Sequence, residues 1–175
     1  MRQQLYYFYK DIYRMLGKYK IRILHFWLSR SFWGVFLYRM ERGFFLLIGD
    51  QYKYIRVLFM PLINIIQAYS NIEIPYKANI KGGLSILHPC LGVVVSSLSC
   101  IGSNLTLTGG NVIGARPNCI INGIRIGDNG TLGANAVILG PIVLGHNIMI
   151  GASACVIDNF ELNNLTLAGV PAKVL

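Results

Sequence analysis

The sequence predicts a mainly β chain, a parallel β-helix of about five coils preceded by an α-helical segment. Three observations carry that expectation. Aliphatic residues stand at every sixth position from Ile120 to Leu162, namely Ile120, Ile126, Leu132, Ile138, Leu144, Ile150, Val156 and Leu162. Neither the 3.6-residue period of a helix nor the two-residue period of a plain strand gives that spacing; a stack of short strands with one inward anchor per side does. Second, most of the 19 Gly follow residue 81, where tight corners need backbone freedom. Third, composition changes sharply along the chain. Residues 1–60 hold eleven Lys/Arg against three Asp/Glu and seventeen of the twenty aromatics, whereas residues 61–175 hold five against four.

The chain therefore divides into a basic, aromatic-rich helical segment at 1–71 and a coil at 72–175. In the first, Tyr6, Tyr9, Tyr13 and Leu16 form one helical stripe, and Gly17 interrupts it. A second apolar stretch runs from Ile23 to Ile48, punctuated by Arg30, Arg39, Glu41 and Arg42, with Ser31 as its expected cap. A third reaches about Tyr69, with Pro61 near its start or at a kink. Charges break every apolar run before it reaches the ~18–20 residues of a membrane span. The first twenty residues lack the apolar core and small-residue cleavage site of a signal peptide.

The coil is expected to begin with anchors Ile74, Ile80 and Ile86, then slip nine residues to Val95. Val95, Ile101, Leu107 and Ile113 follow, and a slip of seven leads to Ile120. Three hexads make one turn, so the expected turns are 74/80/86, 95/101/107, 113/120/126, 132/138/144 and 150/156/162. Gly and Asn recur in the hexads (IGSNLT, IGDNGT, LGHNIM) because both suit a corner. Parallel strands roughly 4.8 Å apart would stack the anchors into one core. Both ends expose unpaired backbone, which the helices should cover at the start and residues 163–175 at the finish.

Function is sought where the repeat breaks. His88 lies in the nine-residue slip. A neutral imidazole near pH 7 can take a proton from a hydroxyl. His146 falls at an outward corner and reads as solvated; His25 reads as packing in the helical segment. His88 and His146 are 58 residues apart, at different heights in the coil, so no metal site is expected. Cys90, Cys100, Cys119 and Cys155 show no CxxC spacing and read as small buried thiols. No GxxxxGK[ST] phosphate loop is present. No base-reading motif accompanies the positive charge, so nucleic acid is not an expected partner. Basic residues mixed with Trp27, Trp33, Phe32, Phe36, Phe44 and Phe45 instead suggest peripheral contact with an anionic membrane, on its cytoplasmic face.

The segments GGLSILHPCLGVVVS at 82–96, LGANAVILGPIVLGHNIMIGASACVI at 132–157 and AGVPAKVL at 168–175 resemble the hexapeptide-repeat acyltransferases, in particular their serine-acetyltransferase-like group. The resemblance covers about residues 72–175 and implies a left-handed parallel β-helix, a homotrimer and acetyl-CoA as co-substrate without a metal. It implies His88 as general base and Gly114, Ala115, Ala134 and Ala152 as the small residues along the pantetheine arm. Lys173 would meet a phosphate of coenzyme A, and Arg116, in the second slip, would hold the acceptor or the cofactor. Two positions depart from serine acetyltransferases: Leu87 replaces the acidic residue before the catalytic His, and Arg116-Pro117-Asn118 replaces an Arg-His-Pro stretch. The layout is more similar to O-acetyltransferases of capsule, exopolysaccharide and lipopolysaccharide clusters, which implies a sugar or lipid-linked saccharide as acceptor. The alternatives are L-serine as acceptor and a non-catalytic trimeric scaffold.

Overall fold

The computed structural model describes residues 1–17 and 26–175. His25 and Ile23, the start of the second apolar stretch, lie outside the described residues, as do three of the eleven basic residues counted at 1–60. Three helices come first: α1 (Arg2–Leu16), α2 (Arg30–Ile48) and α3 (Tyr52–Ser70). The cap of α2 is Ser29, not Ser31: Ser29 is extended, and its side chain accepts the Phe32 amide at 3.2 Å. Ser31 is already helical, and its hydroxyl donates to the Ile86 carbonyl at 2.8 Å. Pro61 lies inside α3 rather than at its start. Asn71, left-handed at φ 56°, ends α3 and turns the chain into the coil.

The coil winds in order. Its first turn is β1 (Ile72–Glu73), β2 (Asn79–Ile80) and β3 (Ser85–Ile86). The second is β4 (Val93–Val95), β5 (Ser99–Ile101) and β6 (Thr106–Leu107). The third is β7 (Asn111–Ala115), β8 (Ile124–Ile126) and β9 (Thr131–Leu132). The fourth is β10 (Val137–Gly140), β11 (Ile142–Leu144) and β12 (Met149–Ile150). The fifth keeps β13 (Cys155–Val156) and β14 (Thr166–Gly169), after which β15 (Ala172–Val174) turns back antiparallel on β14. Three parallel sheets result, β1-β4-β7-β10-β13, β2-β5-β8-β11 and β3-β6-β9-β12-β14.

The anchors stack as the period requires, but not in the expected phase. Ile74, Val95, Ile113, Ile138 and Val156 line one side, Ile80, Ile101, Ile126 and Leu144 the second, and Ile86, Leu107, Leu132, Ile150 and Leu167 the third; all are buried. The third turn is thus 113/126/132, not 113/120/126. Residues 116–123 leave the coil as a loop, and Ile120 stands 74% exposed on it. The loop adds seven residues to a six-residue step, so Ile120 keeps the spacing without sharing the core. Leu162, also 74% exposed, is no anchor either: one isolated bridge, Leu144 to Phe160, replaces the strand there, and Phe160 packs on the core instead. Along one corner Asn104, Asn129, Asn147 and Asn164 all take positive φ, and their amides bond in a ladder at 3.0, 2.8 and 2.7 Å.

The helices cover the open edge of the first turn, and they do so with polar groups. Asp11 pairs with Arg39 at 2.7 Å, both almost fully buried, and accepts the Gly83 and Leu84 amides at 2.7 Å each. Burial raises the Asp11 carboxyl above its ordinary value, while Arg39 and those two amides pull it back. Arg39 also donates to the carbonyls of Ile80 and Lys81, and Arg14 to those of Gly83 and Leu105. Because a sheet edge offers N–H and C=O groups, the inward stripe of α1 is Gln4, Phe8, Asp11 and Met15. Tyr6, Tyr9 and Tyr13 face outward. Of the aromatics expected at a membrane, Phe32, Trp33, Phe36 and Phe45 are half-buried, whereas Trp27 and Phe44 are exposed. Phe8, Phe32 and Phe36 pack on one another, Phe45 packs on Tyr76, and Arg42 and Arg56 bond to Tyr76 O and Glu41. No described helix is long and apolar enough to cross a membrane.

Candidate active site

His88 is fixed by its backbone. Beyond β3 the ladder continues, with the amides of Leu87 and His88 donating to Leu107 and Thr108 carbonyls at 2.9 and 2.8 Å. Pro89 then closes the strand: the residue before a proline is held extended, and His88 has φ −125° and ψ 71°. A short 3-10 turn over Pro89–Leu91 follows, and Gly92 at φ 83° returns the chain to β4. Asn71 staples this break, donating to the Cys90 carbonyl at 3.1 Å while its own carbonyl accepts the Val93 amide at 3.1 Å. The imidazole itself is exposed and makes no side-chain hydrogen bond among the described residues.

Beneath His88 sits Gly109, at φ 137°. A Cβ there would strike the His88 carbonyl, so this close approach of two coils requires glycine. Asn111 holds the corner. Its Oδ1 accepts the Gly109 amide at 2.8 Å, and its Nδ2 donates to the Gly133 carbonyl at 2.7 Å in the turn below. Asn111 and Asn71 escaped the sequence reading. The available signal was an amide at a buried strand position, immediately before Val112 and Ile113, where the hexads otherwise carry small or apolar residues.

One side of the His88 break opens on a cavity of about 580 Å³. Met15, Phe26, Leu28 and Leu87 give it apolar walls, with Ser29, Ser31 and Ser85 between them. The Ser29 and Ser31 side chains are already bonded to Phe32 N and Ile86 O. Among the described residues no Asp, Glu, Lys or Arg lines it. Leu87, the residue that departs from the serine-acetyltransferase pattern, is 53% exposed here.

The remaining expected site residues divide between two corners. Ala134 and Ala152 fall on the corner that carries His88, in the third and fourth turns, where Ser153 N donates to Ala134 O at 2.8 Å. Lys173 pairs in register with Ala168, and Ala168 meets Gly151 at the foot of the same corner; its side chain is exposed. Gly114 and Ala115 end β7 at the next corner, in register with Leu139 and Gly140. Arg116 begins the loop there, and its guanidinium donates to the carbonyls of Gly140, Pro141 and Ile157 at 3.3, 3.4 and 3.3 Å. Within one chain, therefore, His88, Ala134, Ala152 and Lys173 share a column that Gly114, Ala115 and Arg116 do not join.

His146 accepts the Asp128 amide through Nδ1 at 3.0 Å at an exposed corner. Among the described residues no cluster of three His, Cys, Asp or Glu could hold a metal. The four thiols are free but not buried as expected: Cys90 is exposed in the His88 break, and the other three are half-buried at corners and strand edges.

No protein-family model and no curated protein matches the sequence. Solved structures do match its fold. Serine acetyltransferase of Neisseria gonorrhoeae is similar over 99% of this chain and 67% of its own, with 23% identity and a TM-score of 0.81. Soybean serine acetyltransferase complexed with serine is similar over 100% and 70%, with 24% identity and a TM-score of 0.81. A serine acetyltransferase in complex with CoA is similar over 99% and 70%, with 22% identity and a TM-score of 0.77. The coil is thus the left-handed β-helix of those proteins, with an N-terminal helical segment before it.

Proposed function

We propose that this chain is an acetyl-CoA-dependent O-acetyltransferase, working as a homotrimer with His88 as general base. The observation that carries this reading is the column at one corner of the coil. His88 stands at its top, Gly109, Ala134 and Ala152 leave its flank free of long side chains, and Lys173 stands at its foot. Five strand spacings of about 4.8 Å, from β3 to β15, separate top from foot, roughly 24 Å, a length that an extended coenzyme A with its phosphates can span. The serine acetyltransferase solved with CoA shares this fold.

In the reaction, the His88 imidazole takes the proton of the acceptor hydroxyl as its oxygen attacks the thioester carbonyl. The C–S bond then breaks, and the imidazolium returns the proton to the departing thiolate. Such a base contributes about 10²–10⁴-fold. His88→Ala should lower thiol release from acetyl-CoA by that factor without moving the melting temperature, because the ring holds nothing in place. Turnover within a few-fold of the parent would remove His88 from this role.

For the acceptor, the structural neighbours favour L-serine, since they are serine acetyltransferases and two are complexed with serine. A sugar hydroxyl is the second reading, favoured by the lining of the His88 cavity. An amino acid brings an ammonium and a carboxylate, and burying either without a partner is costly. The described walls offer Leu87, the engaged Ser29 and Ser31, and Ser85 instead. Thiol release measured with L-serine, and with free and nucleotide-linked sugars, separates the two; no release with any acceptor, and no binding of acetyl-CoA, leaves the coil a scaffold. Acetyl-CoA as donor places the reaction in the cytoplasm, and a lipid-linked saccharide would be met by peripheral contact with the membrane there.

A further inference from the structure

We infer that the outward face of α3 is a membrane-docking surface, on which the helix lies flat in the interface of an anionic bilayer. The inference rests on the peripheral contact proposed above and moves it to different residues; it does not depend on the acyl-transfer chemistry.

On α3, Tyr54, Leu58, Leu62, Ile65 and Tyr69 follow one another at helical spacing and are all exposed, Leu58 by 78%. Ile55, Val57 and Phe59 widen the stripe and are exposed too. Only Tyr52, Ile63 and Ser70 of the helix are buried. Exposed apolar residues also flank both ends of α3. Leu46 and Leu47 of α2 are exposed near its start. At its finish the Tyr69 hydroxyl donates to Leu28 O at 2.7 Å, beside the exposed Trp27 and Leu28. A contiguous apolar surface of this length marks a contact site.

The charges say which contact. Residues 52–70 contain no Asp or Glu. Lys53 Nζ lies 4.8 Å from the Tyr54 ring centroid at one end of the stripe, and the Arg30 guanidinium lies 5.8 Å from that of Tyr69 at the other. A cation beside an aromatic ring at each end of an apolar stripe fits headgroups at the rim and acyl chains in the middle. At 19 residues, α3 is about 28 Å long and lies along a surface rather than through it. A second copy paired about a two-fold axis would set the same cations against one another, whereas an anionic leaflet neutralises them.

The test is flotation of the full chain with vesicles of phosphatidylcholine alone and of phosphatidylcholine mixed with phosphatidylglycerol. The parent should float with the anionic vesicles. Leu58→Gln combined with Leu62→Gln and Ile65→Gln should weaken partition at least about tenfold with little change in melting temperature, since all three side chains are exposed. Lys53→Glu with Arg30→Glu should weaken binding to anionic vesicles only. A parent that floats with neither vesicle ends the peripheral contact itself. A parent and triple variant that float equally leave the contact but overturn α3 as its surface. A triple variant whose oligomer shrinks in light scattering while it still floats assigns the face to a second copy.

Discussion

The coil and the helical cap use the same apolar alphabet to opposite ends. In the coil each aliphatic anchor has one permitted direction, because strands pair above and below it and the ladder fixes its side. In the cap the helices meet an open strand edge, and Asp11, Arg39, Tyr38 and Arg14 face the core side beside Phe8, Met15 and Val35. Tyr6, Tyr9 and Tyr13 of the α1 stripe are left outside while its Leu16 is buried, and the apolar stripe of α3 is exposed. Hydrophobic periodicity therefore locates the buried side of the coil and mislocates that of the cap, since an edge with unpaired amides and carbonyls recruits polar partners first.

The largest expected effect tests the cap. Asp11→Ala leaves Arg39 buried without its partner and orphans the Gly83 and Leu84 amides. Removing one member of a buried pair costs about 3–5 kcal/mol. Urea unfolding should lose that much stability, whereas Tyr9→Ala, on the outward stripe of the same helix, should change it by less than about 0.5 kcal/mol. Equal losses from the two variants would mean that the tyrosine stripe packs inward after all.

The period of six, read as a coil of about five turns, needed nothing beyond the spacing of Ile, Leu and Val. The site was legible in part for a related reason. A break in a strict repeat is visible, and His88 is the only histidine in the first break. Leu87 beside it was visible too. The phase of the third turn was not, because the 116–123 loop lengthens one step by seven residues and leaves Ile120 on the sixfold grid by arithmetic. Asn111 and Asn71 act through backbone groups of other turns, a relation that pairing alone reveals. Asp11 was hidden because a lone acid in a basic helix reads as solvated until the strand edge it meets is known.

That phase error is itself testable. Ile126 is a true anchor, buried between Ile101 and Leu144, and Ile126→Ala should cost about 2–5 kcal/mol. Ile120→Ala, six residues earlier on an exposed loop, should cost less than about 0.5 kcal/mol. Comparable losses in thermal or urea unfolding would return Ile120 to the core and undo the assignment of 116–123 as a loop.

Asn111 sharpens the comparison at the smallest scale, because it is a polar group buried within the coil, the cap's device used where the anchors otherwise rule. Asn111→Ala removes the acceptor of the Gly109 amide and the donor to the Gly133 carbonyl together. Leaving buried backbone groups unmatched costs about 1–3 kcal/mol. Gly109 supports the His88 carbonyl, so the loss should be felt at the site as well as in stability. The expected signature is a moderate drop in unfolding midpoint with a fall in the turnover number for thiol release, while the Michaelis constant for acetyl-CoA stays near that of the parent. Asn111→Asp, which keeps the acceptor for Gly109 but loses the amide donated to Gly133, should recover more of the turnover than of the stability. If stability falls and turnover does not, the corner under His88 is a joint of the coil alone, and the imidazole is positioned by Pro89 and the Asn71 staple without it.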